Sequence, residues 1–279
     1  MTLGRFFRLV IGAPVAAAAL AAAMTGCVTT TTSSTQSAAA SDNHDIATSA
    51  DEANPQKRAR ARVDLAAAYF GRGQMTIALD QVKLALAADP NYGQAYNLRG
   101  LIFANLGDDV RAEESFKRAL QIDPKDGDTL HNYGYYLCEH KRYAESTTLF
   151  RQALTVQQYR GTSRTLLALG VCQARAGDLA GADASLSRAY ELDTGNPVIS
   201  SNLAEVLYRR GQYERARFYI RRVNAMPNVS NAHTLWLAAR IEHRLHDDRG
   251  ATDFGVQLRN RFPDSREADS FARGAFDDE

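Results

Sequence analysis

The sequence lacks the short motifs that mark the common classes of enzyme. It contains no glycine-rich phosphate-binding loop and no G-x-S-x-G nucleophile elbow. Its six histidines are dispersed, and only His243 and His246 share one face of a predicted helix, with Asp247 beside them. Polar residues at a helix end are more often solvated than bound to a metal. We therefore predict no catalytic residue, no metal site, no cofactor and no small-molecule substrate.

The sequence also lacks an excess of charge of either sign. Its 33 lysines and arginines nearly balance 32 aspartates and glutamates, so nothing indicates a long acidic or basic tail. Arginine is concentrated in one stretch, at Arg209, Arg210, Arg215, Arg217, Arg221 and Arg222. Arginine stems commonly cover apolar surface while their heads stay in water. This stretch is therefore either a solvated helix face or a contact for an acidic partner segment or anionic envelope material.

The first 26 residues have the pattern of an export signal. Arg5 and Arg8 precede an apolar run over 9–23, which is short for a transmembrane helix and contains Gly12 and Pro14. Met-Thr-Gly-Cys at 24–27 then resembles the lipobox of bacterial lipoproteins, whose cysteine is lipidated and becomes the mature N-terminus. The alternative is an ordinary secretory peptide with an incidental cysteine.

The lipobox resemblance implies a lipid-anchored outer-membrane protein that faces the periplasm. Residues 1–26 would be cleaved, Cys27 would carry the lipid, and Val28 in place of aspartate implies sorting to the outer membrane. Residues 27–54 are rich in threonine, serine and alanine, with Ile46 the one large aliphatic residue besides Val28. They are predicted to form a flexible tether. Because an exported lipoprotein meets no nucleic acid, we predict none as a partner.

Small residues and helix breakers recur at a spacing of 34 residues in the rest of the chain. The pairs are Gly73 and Gly107, Ala78 and Ala112, Ala85 and Ala119, Pro90 and Pro124, and Gly100 and Gly134. This period is the signature of the tetratricopeptide repeat (TPR). The sequence predicts an all-α TPR superhelical solenoid over 55–265, with six helix-turn-helix units at 59–92, 93–126, 127–160, 163–196, 197–230 and 232–265. Residues 266–279 are predicted to form a cap helix and an acidic end.

Small residues at two positions of each unit should let its helices approach closely. The eighth residue is Ala66, Gly100, Gly134, Gly170, Ala204 or Ala239, and the twentieth is Ala78, Ala112, Ser146, Ala182, Ala216 or Ala251. Without large side chains between them, the helix axes can approach to roughly 8–10 Å. The sixth unit departs from the pattern, as terminal repeats often do, with His246 in place of glycine and Gly255 at a usually bulky position.

Cysteine is scarce, and its positions are informative. If Cys27 carries lipid, Cys138 and Cys172 remain as a pair in an oxidising compartment. They fall on the first helices of adjacent units, so a disulfide is feasible if their α-carbons approach within about 7 Å. The alternative is that both are small buried thiols packed in the core.

The first helices of a TPR solenoid line a concave groove, with positions 2, 5, 9, 12 and 13 of each unit facing inward. We predict that this groove binds an extended or helical segment of another protein. Asn132 and Asn202, at position 6, are expected to hydrogen-bond a peptide backbone. The alternative for each residue is packing between helices. The predicted groove residues are Asn97, Leu101, His131, Asn132, Tyr135, Leu167, Val171, Asn202, Glu205 and Tyr208.

The central units carry a pattern that resembles a known family. Asn-Tyr-Gly-Tyr-Tyr-Leu-Cys at 132–138 is followed by Tyr-Ala-Glu at 143–145 and Leu-Gly-Val-Cys at 169–172. With the lipobox, the six units and an ending that contains Gly274, Phe276 and Asp277, this order resembles the PilF/PilW family of type IV pilus biogenesis lipoproteins. The long polar tract at 28–54 and the degenerate sixth unit are departures from that family.

The resemblance implies a function in assembly rather than catalysis. Members of the family are outer-membrane pilotins, which help the pilus secretin PilQ reach the outer membrane and assemble into its ring. The resemblance therefore implies that this chain binds the secretin and supports pilus biogenesis and stability. The alternative is a TPR lipoprotein adaptor that serves peptidoglycan hydrolases or outer-membrane protein assembly.

Overall fold

The computed structural model describes residues 53–226 and 228–277, and every regular element in those two ranges is an α-helix. The predicted signal peptide, Cys27 and most of the predicted tether lie outside the described residues. The helices are α1 (Pro55–Gly71), α2 (Met75–Ala88), α3 (Gly93–Asn105), α4 (Asp109–Ile122), α5 (Gly127–Glu139), α6 (Tyr143–Thr155), α7 (Thr162–Arg175), α8 (Leu179–Leu192), α9 (Pro197–Arg209), α10 (Tyr213–Asn224), α11 (Ala232–Arg244), α12 (Asp248–Arg261) and α13 (Arg266–Ala272).

The helices pair in sequence order, and each pair packs on the next pair along the chain. Helices α1 to α12 form six hairpins, and the first helix of each unit also contacts the first helix of the following unit. This architecture confirms the predicted all-α TPR solenoid. Helix α1 begins four residues before the predicted start of its unit because Asn54 caps it, accepting hydrogen bonds from the backbone N–H groups of Gln56 and Lys57.

A residue with positive φ follows the first helix of every unit. Gly73, Gly107, Gly177 and Gly211 have φ between 72° and 86°, where glycine has no steric penalty. Lys141 and His246 hold the same place in the third and sixth units, with φ of 60° and 58°. The repeat geometry therefore imposes this turn even where the sequence supplies no glycine.

Close approach within the units depends on the small residues at positions 8 and 20. All twelve of them are buried. At the glycines there is no spare room: an added Cβ would lie 2.7 Å from the Phe116 ring at Gly100 and 2.6 Å from Leu186 Cγ at Gly170. The bulky residue of the second helix thus packs directly on the backbone of the first helix.

The sixth unit replaces its missing bulky residue with one from the cap. Gly255 stands where the other units have residues such as Phe116 or Leu186, and a Cβ at Gly255 would lie only 1.9 Å from Phe271. Phe271 belongs to α13 and packs with the buried cluster that includes Leu235 and Leu258. The glycine that departs from the repeat pattern therefore provides the space into which the C-terminal cap packs.

The close packing at Gly170 predicts that alanine there destabilises the protein, although alanine has a higher helix propensity than glycine. Gly170→Ala should lower the free energy of unfolding by about 1–3 kcal/mol, because the new methyl group overpacks against Leu186. Gly71→Ala is the matched control, since a Cβ there has no neighbour within 4 Å and alanine favours helix by up to about 1 kcal/mol. Urea unfolding followed by circular dichroism measures both; equal stabilisation by the two substitutions would contradict the packing described here.

Candidate partner-binding groove

The ten residues predicted to line a groove lie on four successive first helices and border three concavities. Helices α3, α5, α7 and α9 carry them. Asn97, Leu101 and Asn132 line a first concavity of about 390 Å³. The terminal concavity, of about 570 Å³, is bordered by Glu205 and Tyr208. The central groove, of about 360 Å³, is lined by the remaining five, His131, Tyr135, Leu167, Val171 and Asn202.

The central groove combines an apolar floor with charged edges. Leu167, Ala168 and Val171 on α7 provide apolar lining. Tyr135 from α5 and Val198 from α9 are 53% and 54% exposed, although their side chains are large and apolar. Such exposure inside a concavity marks a surface that a partner can cover.

Two ion pairs across adjacent units stand at the edges of the central groove. Arg164 lies 2.8 Å from Asp128, and Arg175 pairs with Glu139. Each pair joins α7 to α5. Because both pairs are substantially exposed, they contribute little to stability, but they fix charges of both signs beside the apolar floor.

The asparagines make contacts within the protein. Asn132 Nδ2 donates to Asn97 Oδ1 at 3.1 Å and so links α5 to α3. Asn202 Nδ2 donates to the Val198 carbonyl oxygen at 2.8 Å. An amide nitrogen carries two donor protons, so each group retains hydrogen-bonding capacity toward a peptide, and the internal bonds fix its orientation.

His131 is a buried member of a polar chain behind the groove. It is 7% exposed, its Nδ1 lies 2.9 Å from Thr165 Oγ1, and the Tyr159 hydroxyl lies 2.9 Å from the same oxygen. Burial lowers the pKa of His131 to about 4, and the nearby Arg164 cation acts in the same direction. His131 is therefore neutral near pH 7, and it supports the groove wall more than it offers surface.

Cys138 lines the central groove, and Cys172 is fully buried next to it. Their α-carbons are 5.9 Å apart and their sulfur atoms are at bonding distance. Ser146, the small residue at position 20 of this unit, donates to the Gly134 carbonyl oxygen at 2.7 Å and lies 3.3 Å from Cys172 Sγ. The two cysteines thus face each other between the first helices of the third and fourth units, beside the contact of Ser146 with Gly134.

Four of the six clustered arginines form ion pairs with residues of neighbouring units. Arg210 and Arg215 pair with Asp183, while Arg217 and Arg221 pair with Glu242, whose side chain has no exposed surface. These pairs join the fifth unit to the units on either side. The cluster is therefore chiefly an internal ion-pair network, which the sequence-based alternatives of a solvated face or a partner contact did not include.

A third acidic residue that the sequence did not single out, Glu113, has a comparable role. Glu113 accepts hydrogen bonds from Tyr133 at 2.9 Å and from Arg142 at 2.8 Å, and Lys117 lies 2.9 Å away. Burial opposes its ionisation, but these donors outweigh burial and lower the pKa of Glu113 to about 2. Glu113 and Asp183 share position 21 of their units, so the repeat register was the signal that could have revealed both.

Metal and membrane features are absent from the part of the chain that the structure covers. No group of three or more histidine, cysteine, aspartate or glutamate side chains within 53–226 and 228–277 could hold a metal ion. His243, which the sequence placed beside His246, instead stacks on Phe276 with ring centroids 4.3 Å apart. Among the described helices, none is long and apolar enough to cross a membrane.

Comparison with known proteins agrees with this architecture. Four tetratricopeptide-repeat models match residues 93–126, 115–147, 134–197 and 173–239. A solved TPR protein described as having an unusual peptide-binding site, YrrB, is 16% identical over 69% of this chain and 97% of its own, with a TM-score of 0.59. The helical architecture and these matches define the chain as a tetratricopeptide-repeat protein.

Two relatives resemble this chain over most of its length and place it more narrowly among TPR proteins. The type IV pilus assembly protein PilF of Pseudomonas aeruginosa is 29% identical over 231 residues, which cover 80% of this chain and 91% of PilF. The crystal structure of PilW, a type IV pilus biogenesis factor, is 29% identical, covers 77% of this chain and 98% of PilW, and has a TM-score of 0.70. Within the TPR class, this chain is a PilF/PilW-like protein.

The lowered pKa of His131 predicts a specific loss of stability in mild acid. Unfolded histidine titrates near pH 6.5 and folded His131 near pH 4, so the unfolded chain binds the proton more tightly and stability falls as the pH falls through this window. Between pH 7 and pH 5, the free energy of unfolding should fall by about 2 kcal/mol more in the unaltered protein than in His131→Asn. Equal losses in urea unfolding at the two pH values would refute this assignment.

Proposed function

We propose that this chain is an outer-membrane lipoprotein of type IV pilus biogenesis, a pilotin that binds the secretin PilQ. In this role it promotes outer-membrane localisation and multimerisation of the secretin, and so supports pilus stability. The similarity to PilF and PilW over most of both chains supports the pilus role. A function through binding rather than catalysis is in keeping with the TPR architecture.

The central groove is the observation that carries the proposal of partner binding. It presents exposed Tyr135 and Val198 around the apolar floor of α7, with the ion pairs of Arg164 and Arg175 beside it. An amphipathic or extended segment can bury its apolar residues on such a floor while its polar groups meet the charged edges. The secretin segment that binds here would therefore be amphipathic.

Membrane attachment is proposed from the sequence alone. Cys27, in its lipobox, would carry the lipid on the periplasmic face of the outer membrane, and residues 27–54 would connect it to the TPR array. As a coil, this tether would span on the order of 30 Å. The anchor would thus keep the groove close to the membrane in which the secretin assembles.

We also propose that Cys138 and Cys172 form a disulfide in the exported protein. The 5.9 Å separation of their α-carbons lies within the range that disulfides adopt. The bridge would hold α5 against α7 directly beneath the central groove. Its role would be to keep the spacing of Tyr135 and Val171 fixed before the partner binds.

Loss of the protein should reduce secretin assembly in the source organism. We expect a deletion strain to lose detergent-resistant secretin multimers and surface pili, and Tyr135→Ala to restore about 5–30-fold fewer multimers than the unaltered protein, because truncating a central aromatic contact costs about 1–2 kcal/mol. Immunoblotting of unboiled membrane extracts measures the multimers.

Cys27→Ala should move both the protein and the secretin out of the outer-membrane fraction.

Phe218→Ala provides the matched control for Tyr135→Ala. Phe218 is 54% exposed, like Tyr135, but it lies on the second helix of the fifth unit and lines none of the three concavities. It should restore multimers fully. Normal multimers and pili in the deletion strain would reject the pilotin function and favour an adaptor for other envelope machinery.

The disulfide proposal makes a separate prediction about stability. Reduction should lower the free energy of unfolding by about 2–4 kcal/mol, because the bridge closes a long loop in the unfolded chain. Cys138→Ala/Cys172→Ala should unfold at the same urea concentration whether or not a reductant is present. Two alkylatable thiols in unreduced protein isolated from the envelope would contradict the bridge.

A further inference from the structure

The C-terminal segment of the chain lies on the sixth unit in the position of a bound peptide. The Phe276 ring stacks on His243 at 4.3 Å between centroids and packs tilted against Trp236 at 5.3 Å. Trp236 and His243 are positions 5 and 12 of their unit. These are positions that face the concave side in the preceding units.

The main chain and the acidic side chain of the segment are also held. Arg240 Nε donates to the Phe276 carbonyl oxygen at 3.1 Å, and Arg244 lies 2.8 Å from the Asp277 carboxylate. Arg240 and Arg244 are positions 9 and 13 of the unit. The sixth unit thus holds an aromatic ring, a backbone carbonyl and a carboxylate of one short segment, which is a complete mode of peptide recognition.

The terminal concavity beside this segment extends the same recognition surface. Arg209, Arg240 and Arg244 line it together with Tyr208, whereas Glu205 and Asp277 are its acidic lining residues. Removing Asp277 from the surface would leave three arginines facing one glutamate. An additional acidic side chain is therefore what the charges of this concavity favour.

The Tyr208 hydroxyl is a separate observation that favours a ligand in the terminal concavity. Tyr208 is 7% exposed, and its hydroxyl is buried with no hydrogen bond of standard geometry among the described residues. The Arg244 guanidinium interacts with this hydroxyl, but arginine can only donate. The hydroxyl proton therefore has no acceptor among the described residues, and a buried donor without a partner is unfavourable.

We propose that the terminal concavity binds an acidic segment of a partner protein in which an aromatic residue directly precedes a carboxylate. The chain's own Phe276 and Asp277 occupy the place of that segment in the free protein. The partner segment displaces them when it binds. The partner's aromatic ring takes the place of Phe276 on His243 and Trp236. Its carboxylates reach Arg244 and accept the Tyr208 hydroxyl proton. This site is separate from the central groove and does not depend on the pilus function.

A direct test uses the synthetic peptide Gly-Ala-Phe-Asp-Asp-Glu, which copies the last six residues of the chain, and the full purified chain. Fluorescence anisotropy should show the labelled peptide binding to Asp277→Asn about tenfold more tightly than to the unaltered chain, because the internal competitor is weakened. The uncharged peptide Gly-Ala-Phe-Asn-Asn-Gln should bind at least about tenfold more weakly. Phe276→Ala/Asp277→Asn should open the site further.

Arginine variants in the Asp277→Asn background locate the binding site. Arg244→Glu should abolish peptide binding. Arg222→Glu is the matched control, since Arg222 is exposed, packs over Phe218 and lines none of the three concavities. It should leave the affinity within about twofold. Equal binding of the charged and uncharged peptides, or full binding to Arg244→Glu, would overturn the proposal.

Tyr208→Phe separates ligand recognition from a structural role. Because the hydroxyl proton has no acceptor among residues 53–226 and 228–277, removing the hydroxyl should leave the melting temperature unchanged or raised. Peptide affinity in the Asp277→Asn background should nevertheless fall about threefold to tenfold. A lowered melting temperature with unchanged peptide affinity would show that Tyr208 is structural. No peptide binding to folded Asp277→Asn protein would refute the site as a whole.

Discussion

The close approach of the two helices in every unit is the constraint on which the rest of the structure depends. Residues with little or no side chain at positions 8 and 20 allow it, and at Gly100 and Gly170 the space left is too small even for a methyl group. Once each hairpin is packed in this way, successive first helices stand side by side and share one concave face. The groove thus results from the packing of the units and needs no additional structural element.

Ion pairs of three acidic residues also join neighbouring units to one another. Glu113, Asp183 and Glu242 each bind arginines across a unit boundary, and Glu242 is fully buried. In a solenoid, stability is approximately the sum of unit and nearest-neighbour terms. A buried charge such as that of Glu242 is strongly destabilising when its partner is lost, so these contacts help to hold the units that they join in register.

The repeat sequence predicted the architecture well, because the 34-residue period fixes helix pairing and the placement of small residues. The ten groove residues border concavities, and their part in binding a partner stays a prediction. Details that depend on individual side chains from a neighbouring unit were not predictable in the same way. His131 is buried through its contact with Thr165, and Asn132 is oriented by Asn97. Phe271 fills the space at Gly255 because the cap folds back onto the last unit.

Binding of the secretin through the central groove is the central claim, and site-specific photo-crosslinking in living cells tests it most directly. A photoreactive phenylalanine analogue placed at Tyr135 lies in the groove, and one placed at Phe218 lies on an equally exposed surface outside the three concavities. Binding through the central groove predicts a crosslink to the secretin from position 135 and none from position 218. A secretin crosslink from position 218 alone, or from neither position in cells that form normal secretin multimers, would contradict it.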